Sequence, residues 1–234
     1  MIDVILLTGF LGSGKTTFLN EMLPVLAGKY QRTAVVMNEF GSVGIDGSLV
    51  DDHPTKLVEL QNGSIFCVCI RDNFLAAMEE LAGDLKPEMV VIEATGVADP
   101  FEMGDFLAYP ELRGAYRLFG TITVVDAVSF PKVIQTMRAA RAQAQAADVF
   151  VITKTDLVGE GELTRLREFL AELNADAVQL AASYGRLKPA GWDMILSLPA
   201  QAERQRYLGE RVPARDPMVS ITIPAGPFAD TAEA

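Results

Sequence analysis

The sequence predicts an α/β protein with a mostly parallel central sheet and helices on both faces of that sheet. Apolar runs alternate with amphipathic stretches along almost the whole chain. Several of the apolar runs are nearly unbroken Val, Ile and Leu, which is typical of strands that are covered on both sides. A glycine-rich segment directly after the first run also fits this class, because such sheets bind ligands where their strands end.

Seven apolar runs are predicted to be strands: Asp3–Thr8, Thr33–Met37, Lys56–Leu60, Met89–Glu93, Thr121–Asp126, Val149–Thr153 and Ala177–Leu180. The predicted helices are Thr16–Leu26, Asp72–Ala82, Phe101–Leu107, Phe130–Ala147 and Glu162–Leu173. The stretch Arg138–Ala147, rich in Ala, Gln and Arg, is interpreted as a surface helix. The alternation of strand and helix predicts that the carboxyl ends of the strands meet at one edge, where a ligand binds.

Composition excludes several classes of protein. The chain has 234 residues and a net charge of −11, so it can bury a full core but lacks the basic surface that nucleic acid requires. No apolar run approaches the roughly 18 residues needed to span a bilayer, and the first strand begins too early to leave room for a leader peptide. The two cysteines are two residues apart, which excludes a secreted disulfide framework. We therefore expect a cytoplasmic protein without membrane or nucleic-acid partners.

The segment from Gly9 to Thr16 reads Gly-Phe-Leu-Gly-Ser-Gly-Lys-Thr, a complete phosphate-binding loop between a predicted strand and a predicted helix. Glycines let backbone amides turn towards phosphate oxygens, and the helix dipole adds positive potential behind them. Lys15 is expected to reach the β- and γ-phosphates, and the Thr16 hydroxyl to bind Mg²⁺. The residues predicted to hold the phosphates are Gly9, Gly12, Ser13, Gly14, Lys15, Thr16 and Thr17.

Thr153-Lys154-Thr155-Asp156 follows a buried run and indicates a guanine base. The carboxylate of Asp156 would accept hydrogen bonds from the guanine ring N–H and amino group, and the stem of Lys154 would cover the base. Adenine presents an acceptor where guanine presents a donor, and a site left with unpaired polar atoms discriminates strongly. Thr153 stands where asparagine is commoner. We expect the nucleotide to be GTP.

The strand Met89–Glu93 ends in an acid, and Gly96 follows three residues later. Glu93 is a candidate for holding Mg²⁺ through its water shell, and the Gly96 N–H for binding the γ-phosphate and sensing its loss. The alternative is that Glu93 caps the next helix. Asp126, at the end of another strand, is a weaker candidate for a functional role. The alternative that it caps the next helix is equally well supported.

Four motifs together resemble the CobW-like branch of P-loop GTPases, which is related to the nickel-delivery GTPases HypB and UreG. They are Gly-Phe-Leu-Gly-Ser-Gly-Lys-Thr-Thr at 9–17, Asn-Glu-Phe-Gly at 38–41, Glu-Ala-Thr-Gly-Val-Ala-Asp-Pro at 93–100 and Thr-Lys-Thr-Asp at 153–156. The resemblance extends from Met1 to about Ser197. It implies slow GTP hydrolysis coupled to delivering a metal ion, or a metal-containing cofactor, to a client metalloprotein or cofactor-dependent enzyme. Asn38–Asp46 would then be the first switch and Thr95–Pro100 the second.

Members of that branch usually carry Cys-x-Cys-Cys, but here Ser64 and Phe66 replace two of the cysteines. Cys67 stays in register and Cys69 is an addition. In an extended segment both thiols would point the same way and could bind Zn²⁺ or Co²⁺. Two thiolates are too few for a closed zinc site, so Glu39, Asp46 or a partner protein would complete it. The alternatives are that the two cysteines are buried as small apolar side chains or that they form a redox pair. The sole histidine, His53, is interpreted as part of a turn.

The predicted domains are a P-loop GTPase domain at 1–200, a linker at 201–217 and, at 218–234, the start of a truncated or vestigial second domain or a docking tail. The last segment offers one strand, Met218–Ile223, and the beginning of a helix, which cannot form a core alone.

The predicted reaction is in-line attack of water on the γ-phosphate, catalysed by positioning and charge stabilisation. The catalytic candidates are Lys15, Thr16, Glu93 and, for orienting the water, Glu39. We expect slow turnover, accelerated by a client or by a second copy in a homodimer. An alternative is a regulatory GTPase switch without a metal role. A small-molecule kinase is disfavoured because the arginine-rich segment Gln201–Arg215 follows the base motif instead of lying between the strands.

Overall fold

The computed structural model describes residues 1–37, 55–59, 68–112 and 114–198. Several of the sequence predictions lie outside these residues. They concern Glu39, the whole first switch at 38–46, His53, Cys67, the linker at 201–217 and the segment at 218–234.

Seven strands form one sheet in the order β3-β2-β4-β1-β5-β6-β7, and all neighbouring strands are parallel. The strands are β1 Ile2–Thr8, β2 Thr33–Met37, β3 Thr55–Glu59, β4 Met89–Glu93, β5 Tyr116–Asp126, β6 Val149–Thr153 and β7 Val178–Ala181. This confirms the predicted fold class. Because the strands are parallel, the ends of β1, β4, β5 and β6 lie at the same edge of the sheet.

The helices are α1 Lys15–Lys29, α2 Val68–Glu80, α3 Pro100–Leu107, α4 Phe130–Thr136, α5 Arg138–Ala146, α6 Glu160–Leu173 and α7 Pro189–Leu196. A π-helical turn, Leu81–Leu85, continues α2, and a 3-10 turn, Thr155–Leu157, follows β6. Within these described ranges no helix is long and apolar enough to cross a bilayer.

One predicted helix, Phe130–Ala147, is wrong, because the structure divides it at Met137. That residue is extended, with φ −109° and ψ 110°, so α4 ends before it and α5 begins after it. The break lets α5 place Ala140 and Ala144 in the same buried cluster as Phe150 and Ile152 of the sheet.

Helices cover both faces of the sheet, and the residues of β1 alternate between the two sides. Ile5 and Leu7 belong to a buried cluster with the apolar face of α1, which presents Phe18, Leu19, Met22, Leu23 and Leu26 at helical spacing. Val4 and Leu6 belong to the cluster on the opposite face, where α2 and α3 pack. This explains the unbroken apolar runs in the sequence, since strands such as β4 and β6 are buried along their whole length.

Candidate nucleotide-binding site

The loop between β1 and α1 needs its glycines for backbone reasons. Gly9, Gly12 and Gly14 have φ angles of 142°, 74° and 95°, a region that side chains rarely adopt. A Cβ at Gly9 would also lie 2.4 Å from the Val124 carbonyl oxygen. The Ser13 N–H donates to the Phe10 carbonyl at 3.1 Å and closes the first turn of the loop. The loop therefore ends at the amino terminus of α1, where backbone amides and the helix dipole favour an anion.

The second residue of α1, Thr16, contacts the end of β4. Lys15 is buried, and the Thr16 hydroxyl donates to Glu93 Oε1 at 2.9 Å. Glu93 itself is fully buried. The alternative that Glu93 caps the next helix is wrong, because α3 is capped by Asp99, whose Oδ1 accepts from the Phe101 N–H at 2.9 Å.

The hydroxyl of Thr16 and the carboxylate of Glu93 fit a magnesium ion. Mg²⁺ takes oxygen ligands in octahedral geometry at 2.0–2.1 Å, so two adjacent ligands stand about 2.9 Å apart. The two side-chain oxygens are hydrogen-bonded at 2.9 Å, so both oxygens are close enough together to face one ion. An ion bound by Thr16 would thus have the Glu93 carboxylate beside it, as a direct ligand or through a water molecule.

The turn after β6 is tied directly to the phosphate loop. The Thr153 hydroxyl donates to the Ser13 carbonyl at 2.7 Å, and Lys154 Nζ donates to the Gly12 carbonyl at 2.8 Å. Lys154 has a left-handed backbone, with φ 55°, which ends β6 and begins the 3-10 turn. Asp156 lies exposed on that turn. The predicted base-binding residues and the predicted phosphate-binding residues are therefore neighbours in space.

Asp126 positions the lysine of this turn. Its Oδ2 lies 2.6 Å from Lys154 Nζ and accepts from the Ser129 hydroxyl, while its Oδ1 accepts from the Val128 and Ser129 amides. Burial alone would raise the pKa of the Asp126 carboxyl, but these hydrogen bonds, led by that of Lys154, hold the pKa below its ordinary value. Asp126 therefore stabilises the turn before α4, although the N-cap of that helix is Ser129 and not Asp126.

The predicted second switch, Thr95–Pro100, lies against the phosphate loop. The Ala94 N–H donates to the Leu7 carbonyl at 3.0 Å, which fixes the chain as it leaves β4. A Cβ at Gly96 would lie 2.6 Å from the backbone nitrogen of Leu11, so only glycine fits there. Gly96, predicted to sense the γ-phosphate, therefore lies against the loop that is predicted to hold the phosphates.

Two features of this edge were missed by the sequence analysis. Gln143 of α5 is 1% exposed, and its amide donates to the carbonyls of Gly96 and Ala98. It lies within the stretch that was interpreted as a surface helix. The available signal was its spacing from Ala140 and Ala144, which places all three residues on one face of α5.

The second missed feature is the turn after β7, which packs on the beginning of α1. The Ala182 N–H donates to the Ile152 carbonyl at 2.8 Å, continuing the sheet beyond β7. Gly185 has a φ of 80°, and a Cβ there would lie 3.0 Å from the Thr17 carbonyl oxygen. Arg186 also pairs with Glu21 of α1 at 2.9 Å. This turn thus borders the predicted nucleotide residue Thr17, and its sequence gave no motif that predicted this.

The predicted transition-metal site is only partly within the described structure. The expectation that the cysteine segment is extended is wrong at Val68 and Cys69, because α2 begins at Val68. Among the residues that the structure describes, no group of three or more His, Cys, Asp or Glu is placed to hold a metal ion.

The sheet topology, the glycine loop before α1 and the Thr16–Glu93 contact define a P-loop nucleotide-binding protein. The model of the CobW/HypB/UreG, nucleotide-binding domain family matches residues 3–180. The chain belongs to this family.

Curated relatives agree with this assignment. The chain is 39% identical over 189 residues to the zinc chaperone YjiA of Escherichia coli, covering 79% of this chain and 58% of that protein. It is 31% identical to the zinc chaperone CobW of Pseudomonas aeruginosa, covering 86% and 61%. It is 32% identical to the zinc-regulated GTPase metalloprotein activator 1 of Schizosaccharomyces pombe, covering 80% and 47%. The chain thus spans about half to three fifths of the length of these relatives.

Solved structures show the same fold. The crystal structure of Zn(II)-bound YjiA GTPase from E. coli superposes with a TM-score of 0.61 at 32% identity, covering 81% of this chain and 60% of that one. HypB from Helicobacter pylori, solved in complex with nickel, gives a TM-score of 0.58 at 16% identity, covering 88% and 89%. At that identity the second likeness is one of fold alone.

Proposed function

We propose that the chain binds GTP with Mg²⁺ and hydrolyses it slowly to drive the delivery of a metal, or of a metal-containing cofactor, to a client protein. One observation carries the nucleotide part of this proposal. Thr153 and Lys154 of the base turn donate to the carbonyls of Ser13 and Gly12 in the phosphate loop. A purine selected by Asp156 and a triphosphate held by the loop would therefore belong to a single ligand.

The proposed roles follow from the positions of the side chains. Lys15 and the loop amides hold the phosphates, and Thr16 and Glu93 hold the magnesium ion. When bound, Mg²⁺ neutralises charge on the phosphate oxygens. Gly96 binds the γ-phosphate through its N–H. With these groups in place, water attacks the γ-phosphorus in line and GDP leaves, so catalysis consists of positioning and charge stabilisation.

Turnover by the chain alone should be slow. The two predicted switches, 38–46 and 95–100, contain neither arginine nor glutamine, the residues that most often stabilise charge or orient water in this reaction. Glu39 remains our candidate for orienting the water. We propose that the client, or a second copy of the chain, supplies the missing stabilisation.

The base assignment is tested by comparing nucleotide affinities. We expect the chain to bind GTP at least about tenfold more tightly than ATP, and Asp156→Ala to remove this preference. Asp176→Ala is the matched control, because Asp176 is also exposed but precedes β7 and so lies at the opposite edge of the sheet. Equal affinity of the wild type for GTP and ATP would refute the assignment.

The metal part of the proposal is supported by the relatives, two of which are named zinc chaperones. We propose Cys67 and Cys69, the latter in the first turn of α2, as ligands for Zn²⁺ or Co²⁺ in a site completed by Glu39, Asp46 or a partner protein, in a reducing cytoplasm that keeps both thiols free to bind. The double variant Cys67→Ser, Cys69→Ser should bind Zn²⁺ much more weakly in a competition titration. Unchanged affinity would remove this site and favour the alternative of a GTP switch that gates a protein contact.

A further inference from the structure

Gln143 joins the helical layer to the second switch. Its Nε2 lies 3.2 Å from the Gly96 carbonyl oxygen and 3.1 Å from the Ala98 carbonyl oxygen, and its side chain is buried. The two carbonyls flank Val97, which is 55% exposed. The side-chain amide of Gln143 therefore anchors the switch backbone on both sides of Val97, the residue that faces solvent.

Gln143 is itself held by the sheet. The Thr123 hydroxyl donates to the Gln143 backbone carbonyl at 2.9 Å, and Thr8 Oγ1 lies 2.9 Å from Thr123 Oγ1. Both threonines are buried. Thr8 is the residue before Gly9, so two hydrogen bonds and the side chain of Gln143 together connect the start of the phosphate loop to the predicted second switch. Buried polar networks of this kind fix one arrangement of their members.

We propose that Gln143 is a positioning residue that fixes the second switch so that the Gly96 N–H meets the γ-phosphate, which lets the chain distinguish GTP from GDP. This inference rests on the proposed function, in which Gly96 binds that phosphate. Glycine has no Cβ, so the peptide groups beside Gly96 rotate with little steric resistance. An amide that anchors the carbonyls of Gly96 and Ala98 removes that freedom before the nucleotide binds.

The test is the ratio of affinities for a nonhydrolysable GTP analogue and for GDP. Gln143→Met keeps the length of the side chain but removes its donors. We expect the affinity for the GTP analogue to fall about tenfold and kcat for GTP hydrolysis to fall with it, because two buried carbonyls lose their partner. The affinity for GDP should change less than about twofold, since GDP lacks the phosphate that Gly96 meets.

Asn174→Leu is the matched control. Asn174 Nδ2 donates to the carbonyls of Ala144, Gln145 and Ala147, at the end of the same helix, α5. This variant weakens the attachment of α5 without touching the switch, so it should leave the ratio of the two affinities unchanged.

Two results would overturn the inference: an unchanged ratio in Gln143→Met, which includes an equal loss of both affinities, or the same change of ratio in Asn174→Leu. Should Gln143→Met not fold, Gln143→Asn keeps a neutral amide but shortens the side chain so that it no longer reaches both carbonyls, and the same loss of ratio is expected. A wild type that does not prefer GTP to ATP would refute the proposed function instead, and the two failures are therefore distinguishable.

Discussion

Gly96→Ala tests the close approach of the second switch to the phosphate loop. The new methyl group would lie 2.6 Å from the Leu11 backbone nitrogen and 2.8 Å from Leu11 Cγ. Real Cβ atoms essentially never approach heavy atoms closer than 3.0 Å, so the switch and the loop must separate by at least about 0.4 Å. The side chain of Leu11 can turn away, but its backbone nitrogen moves only with the loop.

The expected cost follows from this geometry. Forcing a methyl group into a closely packed contact costs about 1–3 kcal/mol. If the switch moves to relieve the contact, this free-energy cost weakens its interaction with the γ-phosphate. Each 1.4 kcal/mol lowers the rate of hydrolysis by a factor of about ten. We therefore expect kcat/KM for GTP hydrolysis to fall about tenfold or more. The affinity for GDP, which lacks the γ-phosphate, should fall less.

The assay compares Gly96→Ala with Gly28→Ala under the same conditions. Gly28 lies in α1, and a Cβ there would meet nothing within 4 Å. The control should therefore be neutral for hydrolysis and stabilise the fold by about 0.4–1 kcal/mol. If Gly96→Ala hydrolysed GTP and resisted urea as well as the wild type, the contact between switch and loop would be refuted.

Two further substitutions test contacts that support the nucleotide site, at Asp126 and at Trp192. Because the folded-state pKa of Asp126 lies below its ordinary value of 3.8, the Asp126 carboxylate stabilises the fold above that pH, and the contribution is lost as the pH falls through the lower folded value. The stability gap between wild type and Asp126→Asn in urea titrations should therefore be present at neutral pH and shrink in acid; a gap independent of pH would contradict this. Trp192 stacks on Phe18 with ring centroids 5.2 Å apart. Trp192→Ala should lower the free energy of unfolding by about 2–4 kcal/mol while leaving GTP affinity within about twofold, and an unchanged stability would show that α7 does not pack on α1.

The sheet was largely predictable because its strands are buried on both faces. Thr33–Met37, Met89–Glu93 and Val149–Thr153 have the same bounds in sequence and structure, since their apolar runs coincide with their burial. β5 begins earlier than predicted, at Tyr116, in a stretch that includes Arg117. That arginine pairs with Asp3 across the neighbouring strand at 2.6 Å, a contact that apolar periodicity does not register.

Two features of the helices were not predicted from local sequence patterns. The division at Met137 has neither glycine nor proline to mark it, and it arises because α5 turns to pack on the sheet. The helix α7 was not predicted. It is only eight residues long, its apolar side chains join the buried cluster that includes the apolar face of α1, and Trp192 stacks on Phe18. Such short helices depend on tertiary packing more than on their own propensity.

The nucleotide site likewise has one part that the sequence predicted and another that it did not. The phosphate loop and the base turn are continuous motifs whose chemistry is written in adjacent residues, so both were predicted. The contact of Lys154 with Gly12 joins residues 142 positions apart, and that of Gln143 with Gly96 joins residues 47 apart. Contacts of this length depend on the order of strands in the sheet and on the faces that the helices turn inwards, which no local pattern encodes.

Coupling between nucleotide and metal tests the central claim most directly. The affinity of the full chain for Zn²⁺ should be measured in the presence of the nonhydrolysable GTP analogue and again in the presence of GDP. We expect the two Zn²⁺ affinities to differ at least about fivefold, and Zn²⁺ to change the relative affinities for the two nucleotides by the same factor, because coupling between binding sites is reciprocal. Identical Zn²⁺ affinities with both nucleotides would contradict GTP-driven metal delivery.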